Sequence, residues 1–203
     1  MSALRRESLV WGLVLAVALT LFVVYRVEKP ENITPISVLV IIESTVTIIG
    51  FVYAIFIGFA WHQPIFKGWL VRVPDVRGTW RGQVVPLNTE GQQATPIPCQ
   101  LVIRQRLFSV SCVLQTMGAR SQSFAGNAYL DEDSGEERLV YVYRTNPKLA
   151  DRVSNASHDG STILTLTKTD VLVGTYFTDR CTRGELALKL VSRKTNIPFA
   201  EGG

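Results

Sequence analysis

The chain has 203 residues, 47% of them hydrophobic, and its 21 Lys and Arg against 17 Asp and Glu leave a formal charge of +4. That excess is too mild to single out a DNA or RNA polymer as partner, and the three cysteines, Cys99, Cys112 and Cys181, are odd in number and form no zinc pattern. Composition alone fits either one globular domain or a membrane segment with a smaller domain attached, so the distribution of apolar residues has to decide.

From 9 to 25 every residue is apolar, Gly, Thr or Tyr, and from 44 to 61 none is charged. A hydrocarbon core about 30 Å thick needs roughly 20 helical residues, so each run predicts a transmembrane helix. A cleaved signal peptide competes for the first run. It fits less well, because the run exceeds a usual h-region, Phe22, Tyr25 and Arg26 make no small-residue cleavage site, and a second span follows at once. The polar stretch 26–35 reads as a hairpin turn, with Pro30 and Pro35 suited to it.

Basic residues favour the cytoplasmic side of short flanks. Arg5 and Arg6 precede the first span, and Lys67, Arg72, Arg77 and Arg81 follow the second, against Arg26 and Lys29 in the turn. Both termini are therefore expected in the cytoplasm. Trp11, Tyr25, Trp61 and Trp69 fall near the predicted span ends, where amphipathic rings prefer the headgroups. Within the second span, Glu43 either lies inside the membrane facing protein or sits at the interface just before the apolar run; Thr47, Gly50 and Gly58 are its candidate partners in helix association.

Beyond His62 the apolar period changes to two, which argues for strands. Eight are predicted, over about 78–85, 98–106, 108–115, 121–130, 137–144, 161–168, 171–178 and 182–192, separated mostly by Gly-, Pro-, Asn- or Asp-bearing breakers. Short consecutive strands make a meander, and closure into a barrel removes its edges. The expected fold is thus membrane-anchored all-β: a two-helix hairpin over 1–61, a connection over 62–74, a small antiparallel eight-stranded barrel over 75–199 and a tail over 200–203. Eight strands enclose room for side chains or one small ligand.

The connection over 146–160 carries Pro147, Lys148, Arg152, Asn155, His158 and Gly160 and is the expected place for a short helix or a lid. His158 has no companion constellation, no Gly-rich phosphate loop is present and no metal ligands cluster, so no enzyme is expected. The stretch 172–190 is more informative. Alternation there predicts Tyr176, Thr178 and Arg180 on one strand face, with Thr182, Arg183 and Gly184 opening the next strand beside them. Rings stack on nucleobases and guanidinium groups match phosphate oxygens, so these residues would suit a nucleotide; they are equally the ordinary residues of a half-exposed sheet.

A further observation bears on that choice. Two apolar spans, the opening Trp80, Arg81 and Gly82, the Y-R-T-N-P segment at 143–147, an S-H-D-G turn at 157–160 and the G-T-Y-F-T-D-R-C-T-R-G segment at 174–184 occur in one order. This arrangement resembles the SMODS-associating two-transmembrane, β-strand-rich effectors of bacterial cyclic-oligonucleotide antiphage signalling (CBASS). The resemblance implies a cytoplasmic barrel that binds a cyclic dinucleotide, with no cofactor, and helices that disrupt the inner membrane. On that reading Tyr143, Asn146, Tyr176, Thr178, Arg180, Thr182 and Arg183 are the expected ligand contacts, and the lipid bilayer and further copies of the chain are the other partners. A lipocalin-like carrier with an apolar lumen and a membrane scaffold that binds only protein remain the alternatives.

Overall fold

The computed structural model describes residues 12, 14, 17, 18, 20, 22, 23, 34–87, 91–149, 156–168 and 170–199. Most of the first expected span, the turn at 26–33, Arg152 and Asn155 of the long connection, and the tail 200–203 lie outside the described residues. The chain divides into two compact units, 1–72 and 73–203.

In the first unit, α1 spans Pro35–Gly58. Proline suits the first helical turn, where the missing N–H would have had no partner. The segment Val38–Gly58 is long and apolar enough to cross a bilayer. Glu43 lies inside this helix and is exposed, as are Thr47, Gly50 and Gly58. At about 100° per residue these four fall within an arc of about 80° on one face. Two short 3-10 turns, Ala60–His62 and Pro64–Phe66, follow.

The second unit is a closed barrel of eight antiparallel strands in sequence order: β1 Gly78–Leu87, β2 Ile97–Arg106, β3 Ser109–Gln115, β4 Ala119–Leu130, β5 Glu137–Pro147, β6 His158–Lys168, β7 Val171–Thr178 and β8 Arg183–Ser192. All eight predicted strands are present. The long connection is shorter than expected, because β5 runs on to Pro147 and β6 begins at His158; the residues 158–160 are therefore strand, not turn. Register explains this: Thr145 pairs with His158 and Tyr143 with Gly160, so the ladder keeps both segments extended. Thr182 lies in the β7–β8 turn, one residue before β8.

Alternate residues fill the lumen. Trp80, Leu101, Ile103, Leu139, Leu164, Leu172 and Leu188 are buried there, each large side chain contributing about 1.5 to 3 kcal/mol. An irregularity between Ser123 and Ala125 changes the phase of β4, so Ser121 and Ser123 face inward before it and Gly126 and Ala128 after it, while Phe124 is left exposed outside.

The entry segment closes the end of the barrel that carries Trp80. Gln105 bridges it: the Val76 amide donates to Gln105 Oε1 at 3.0 Å, and Gln105 Nε2 donates to the Pro74 carbonyl at 2.8 Å. Trp80 Nε1 donates to the Val76 carbonyl at 3.0 Å. After β8 the chain runs over the outer faces of β1 and β2 as a strap. Thr79 Oγ1 donates to the Lys194 carbonyl at 2.6 Å, Gln100 Nε2 to Ile197 at 2.9 Å and Arg81 Nη2 to Pro198 at 3.2 Å. These bonds explain why Gln100, on the outside of a barrel, is buried.

Candidate functional site

Cross-strand partners share a face, so the register sorts the lumen into rows. Nearest the end formed by the β5–β6 connection and the β7–β8 turn lies Leu114–Ser121–Thr145–His158. Below it come Ser123–Tyr143–Gly160–Thr178 and then Gly126–Tyr141–Thr162–Tyr176–Gly184–Pro86. The next row, Leu139–Leu164–Gly174–Leu186–Val84, begins the apolar half. One half of the lumen is therefore lined mainly by hydroxyls and phenols, and the other by apolar side chains.

Two phenol rings lie against the wall. A Cβ on Gly160 would meet the Tyr143 hydroxyl at 2.5 Å, and one on Gly184 would meet Tyr176 Cε1 at 2.5 Å. The same device thus recurs at β5–β6 and β7–β8: a tyrosine rests on the glycine directly opposite it. Any side chain there would push the ring off the wall.

Buried polar groups in this half are mostly paired. The Ser121 and Thr145 hydroxyls share a hydrogen bond of 2.8 Å, and Ser123 Oγ accepts from the Cys112 amide at 2.8 Å. Burial pushes the Tyr143 phenol up to about 12 and holds Tyr141 well above the ordinary phenol range, with the Thr162 hydroxyl opposing the shift at both. Burial also raises Cys99 to about 12 and Cys112 further still, so both thiols stay protonated and unreactive. All of these groups are neutral near pH 7.

The charged residues stand at the rim or outside. Arg144 holds Asp159 through two hydrogen bonds of 2.7 Å, and this guanidinium keeps the Asp159 carboxyl below its usual range. Arg180 Nη1 donates to the Ala156 carbonyl at 3.3 Å, and His158 Nδ1 lies 3.0 Å from the same oxygen. The Asp179 amide donates to the Asp159 carbonyl at 3.0 Å, tying the β7–β8 turn to β6.

Of the expected contacts, the structure brings Tyr143, Tyr176 and Thr178 into one lumen. Thr182 joins them at the rim through a 2.6 Å bond between its hydroxyl and that of Thr178. Arg180 does not continue the face of Tyr176 and Thr178, because β7 stops at Thr178 and the chain turns, with Cys181 at φ 58°. Asn146 and Arg183 are exposed on the outer wall, on the opposite parity from Tyr143 and from the buried Gly184. Sequence reasoning missed Tyr141, Ser121, Thr145 and Thr162. Tyr141 was within reach, since it stands two residues before Tyr143 and so shares its face; the Ser121–Thr145 pair was not, because it depends on register.

Eight closed antiparallel strands with a hydroxyl-lined half-lumen define a small ligand-receptor barrel. The family described as Cap15, cyclic dinucleotide receptor domain, matches residues 71–190, and the chain belongs to this family of CBASS effectors. No curated protein matches the chain.

Proposed function

We propose that the barrel binds a cyclic dinucleotide and that the chain is a non-enzymatic, membrane-anchored antiphage effector. The observation that carries this reading is the coincidence of the receptor-domain match over 71–190 with a polar half-lumen bearing two wall-mounted tyrosines. Tyr143 and Tyr176 supply faces for stacking, Thr178 and Thr182 supply hydroxyls, and Arg180 supplies charge at the rim for phosphate. A lipocalin-like carrier is disfavoured, since three rows of the lumen would present hydroxyls to an apolar ligand.

Binding then acts on assembly. A ligand shifts an equilibrium only as far as it prefers one state, so the occupied barrel must favour an oligomer over the resting form. In the membrane, the α1 face with Glu43, Thr47, Gly50 and Gly58 would carry helix contacts, and the assembled helices would disrupt the inner membrane and abort infection. Small residues allow close helix approach, and a carboxylate in the span needs a protein or water partner. Calorimetry of the barrel unit with a panel of cyclic dinucleotides tests the first step. Saturable binding is expected, and none across the panel would overturn the assignment.

A further inference from the structure

The Tyr141 hydroxyl is the one side-chain polar atom of the barrel lumen that the fold buries without a hydrogen bond of ordinary geometry, among the described residues; the Thr162 hydroxyl is near enough to oppose its pKa shift but does not meet that geometry. Tyr141 sits in the lowest polar row, between Gly126 and Thr162, directly above the apolar half. A buried hydroxyl without a partner is disfavoured relative to phenylalanine at the same position, which keeps the ring and removes the unpaired group. Two rows above it, the Ser121 and Thr145 hydroxyls satisfy each other. The exception therefore points to a partner that the fold itself does not supply.

We propose that Tyr141 is a base-reading residue: one base of the bound nucleotide descends into the polar half-lumen and its edge hydrogen-bonds the Tyr141 hydroxyl, while the phosphates stay at the rim. This rests on the cyclic dinucleotide reading above. Charge distribution sets the orientation. No Lys or Arg lies in the three polar rows, so a phosphate placed there would lose its hydration with no cation to replace it. Arg180, at the rim, meets an anion without that loss. A base edge carries neutral donors and acceptors, and a phenol hydroxyl serves either. The Tyr143 and Tyr176 rings, held back against Gly160 and Gly184, flank the descending base rather than the phosphates.

The test uses the full-length protein in detergent, titrated with cyclic dinucleotides that differ in one base. Tyr141→Phe is expected to melt at or above the parent temperature when empty, to bind the preferred nucleotide about tenfold more weakly and to discriminate less between bases. Its salt dependence should match the parent's, whereas Arg180→Ala should weaken all nucleotides and flatten the salt dependence. If the parent binds and Tyr141→Phe keeps both affinity and base preference, this inference is overturned and the receptor assignment stands. A Tyr141→Phe protein that melts lower or does not fold overturns it too, because the hydroxyl then has a structural partner. A parent that binds nothing in the panel overturns both.

Discussion

Two glycines place the aromatic walls of the lumen, and both act through closeness rather than flexibility. At Gly160 an added Cβ would meet the Phe177 carbonyl at 2.7 Å as well as Tyr143, and at Gly184 it would meet the Val85 carbonyl as well as Tyr176. Backbone oxygens held in a ladder cannot yield as a side chain can. Gly160→Ala and Gly184→Ala are each expected to lower stability by about 1 to 3 kcal/mol, read by thermal or urea melts. Binding should fall further than stability accounts for, since the ring is displaced into the lumen. On the proposed reading, Tyr176→Ala and Arg180→Ala act on the ligand directly. Loss of stacking is worth about 1 to 3 kcal/mol and loss of a charge-assisted contact about 1.5 to 3, so each should weaken nucleotide binding roughly tenfold or more with the fold retained. Unchanged affinity in both would move the site away from this end of the barrel.

The strands themselves are held at their seam by the segments that enter β1 and leave β8. Asp75 forms a paired contact with Arg77 at 2.8 and 2.9 Å, and Arg193 donates to the Asp75 carbonyl at 2.9 Å and the Arg77 carbonyl at 3.1 Å. Burial by itself raises the Asp75 pKa. The hydrogen bond and charge of Arg77, with the charge of Arg193, outweigh it, and the carboxyl ends below its ordinary 3.8. A depressed carboxyl stabilises the fold above its unfolded value and loses that contribution as the pH falls through the lower folded value. Asp75→Asn should therefore destabilise the barrel near pH 7 and flatten the loss of stability in acid, below about pH 4. Equal melting of variant and parent at pH 7 would show the clamp to be inert. The strap after β8 belongs to the same seam, and removing it would uncover the buried Gln100 side chain.

On the scale of the whole chain, the proposed signal starts in a lumen and ends in a bilayer, so the two units have separable losses. Deleting residues 1–61 should preserve nucleotide binding and abolish cell killing. Toxicity of the truncated protein in the presence of its nucleotide would reduce the helices to an anchor. Glu43→Leu retains the apolar length of α1 and removes its carboxylate; reduced membrane leakage at normal expression is the expected outcome if that face carries helix contacts. A reporter fused after Gly203 is expected to be active on the cytoplasmic side, and activity only in the periplasm would reverse the topology.

The eight strands were legible because a one-sided barrel wall imposes a period of two on its sequence, and the breakers between strands need Gly, Pro, Asn or Asp for their backbone geometry. For the same reason alternation placed Tyr176 and Thr178 on one face, whereas Tyr143 entered with the Y-R-T-N-P segment and the structure puts it in the same lumen. Parity failed where a strand ended: Arg180 was assigned to a face that stops at Thr178. The phase change in β4 that leaves Phe124 outside has no sign in the alternation of that segment. Closure of β8 onto β1, the pairing of Ser121 with Thr145, the rest of each tyrosine on a glycine and the isolation of the Tyr141 hydroxyl came only from the tertiary structure. Each is a relation between residues on different strands, fixed by register and shear, and the alternation along any single strand is the same whichever neighbour it meets.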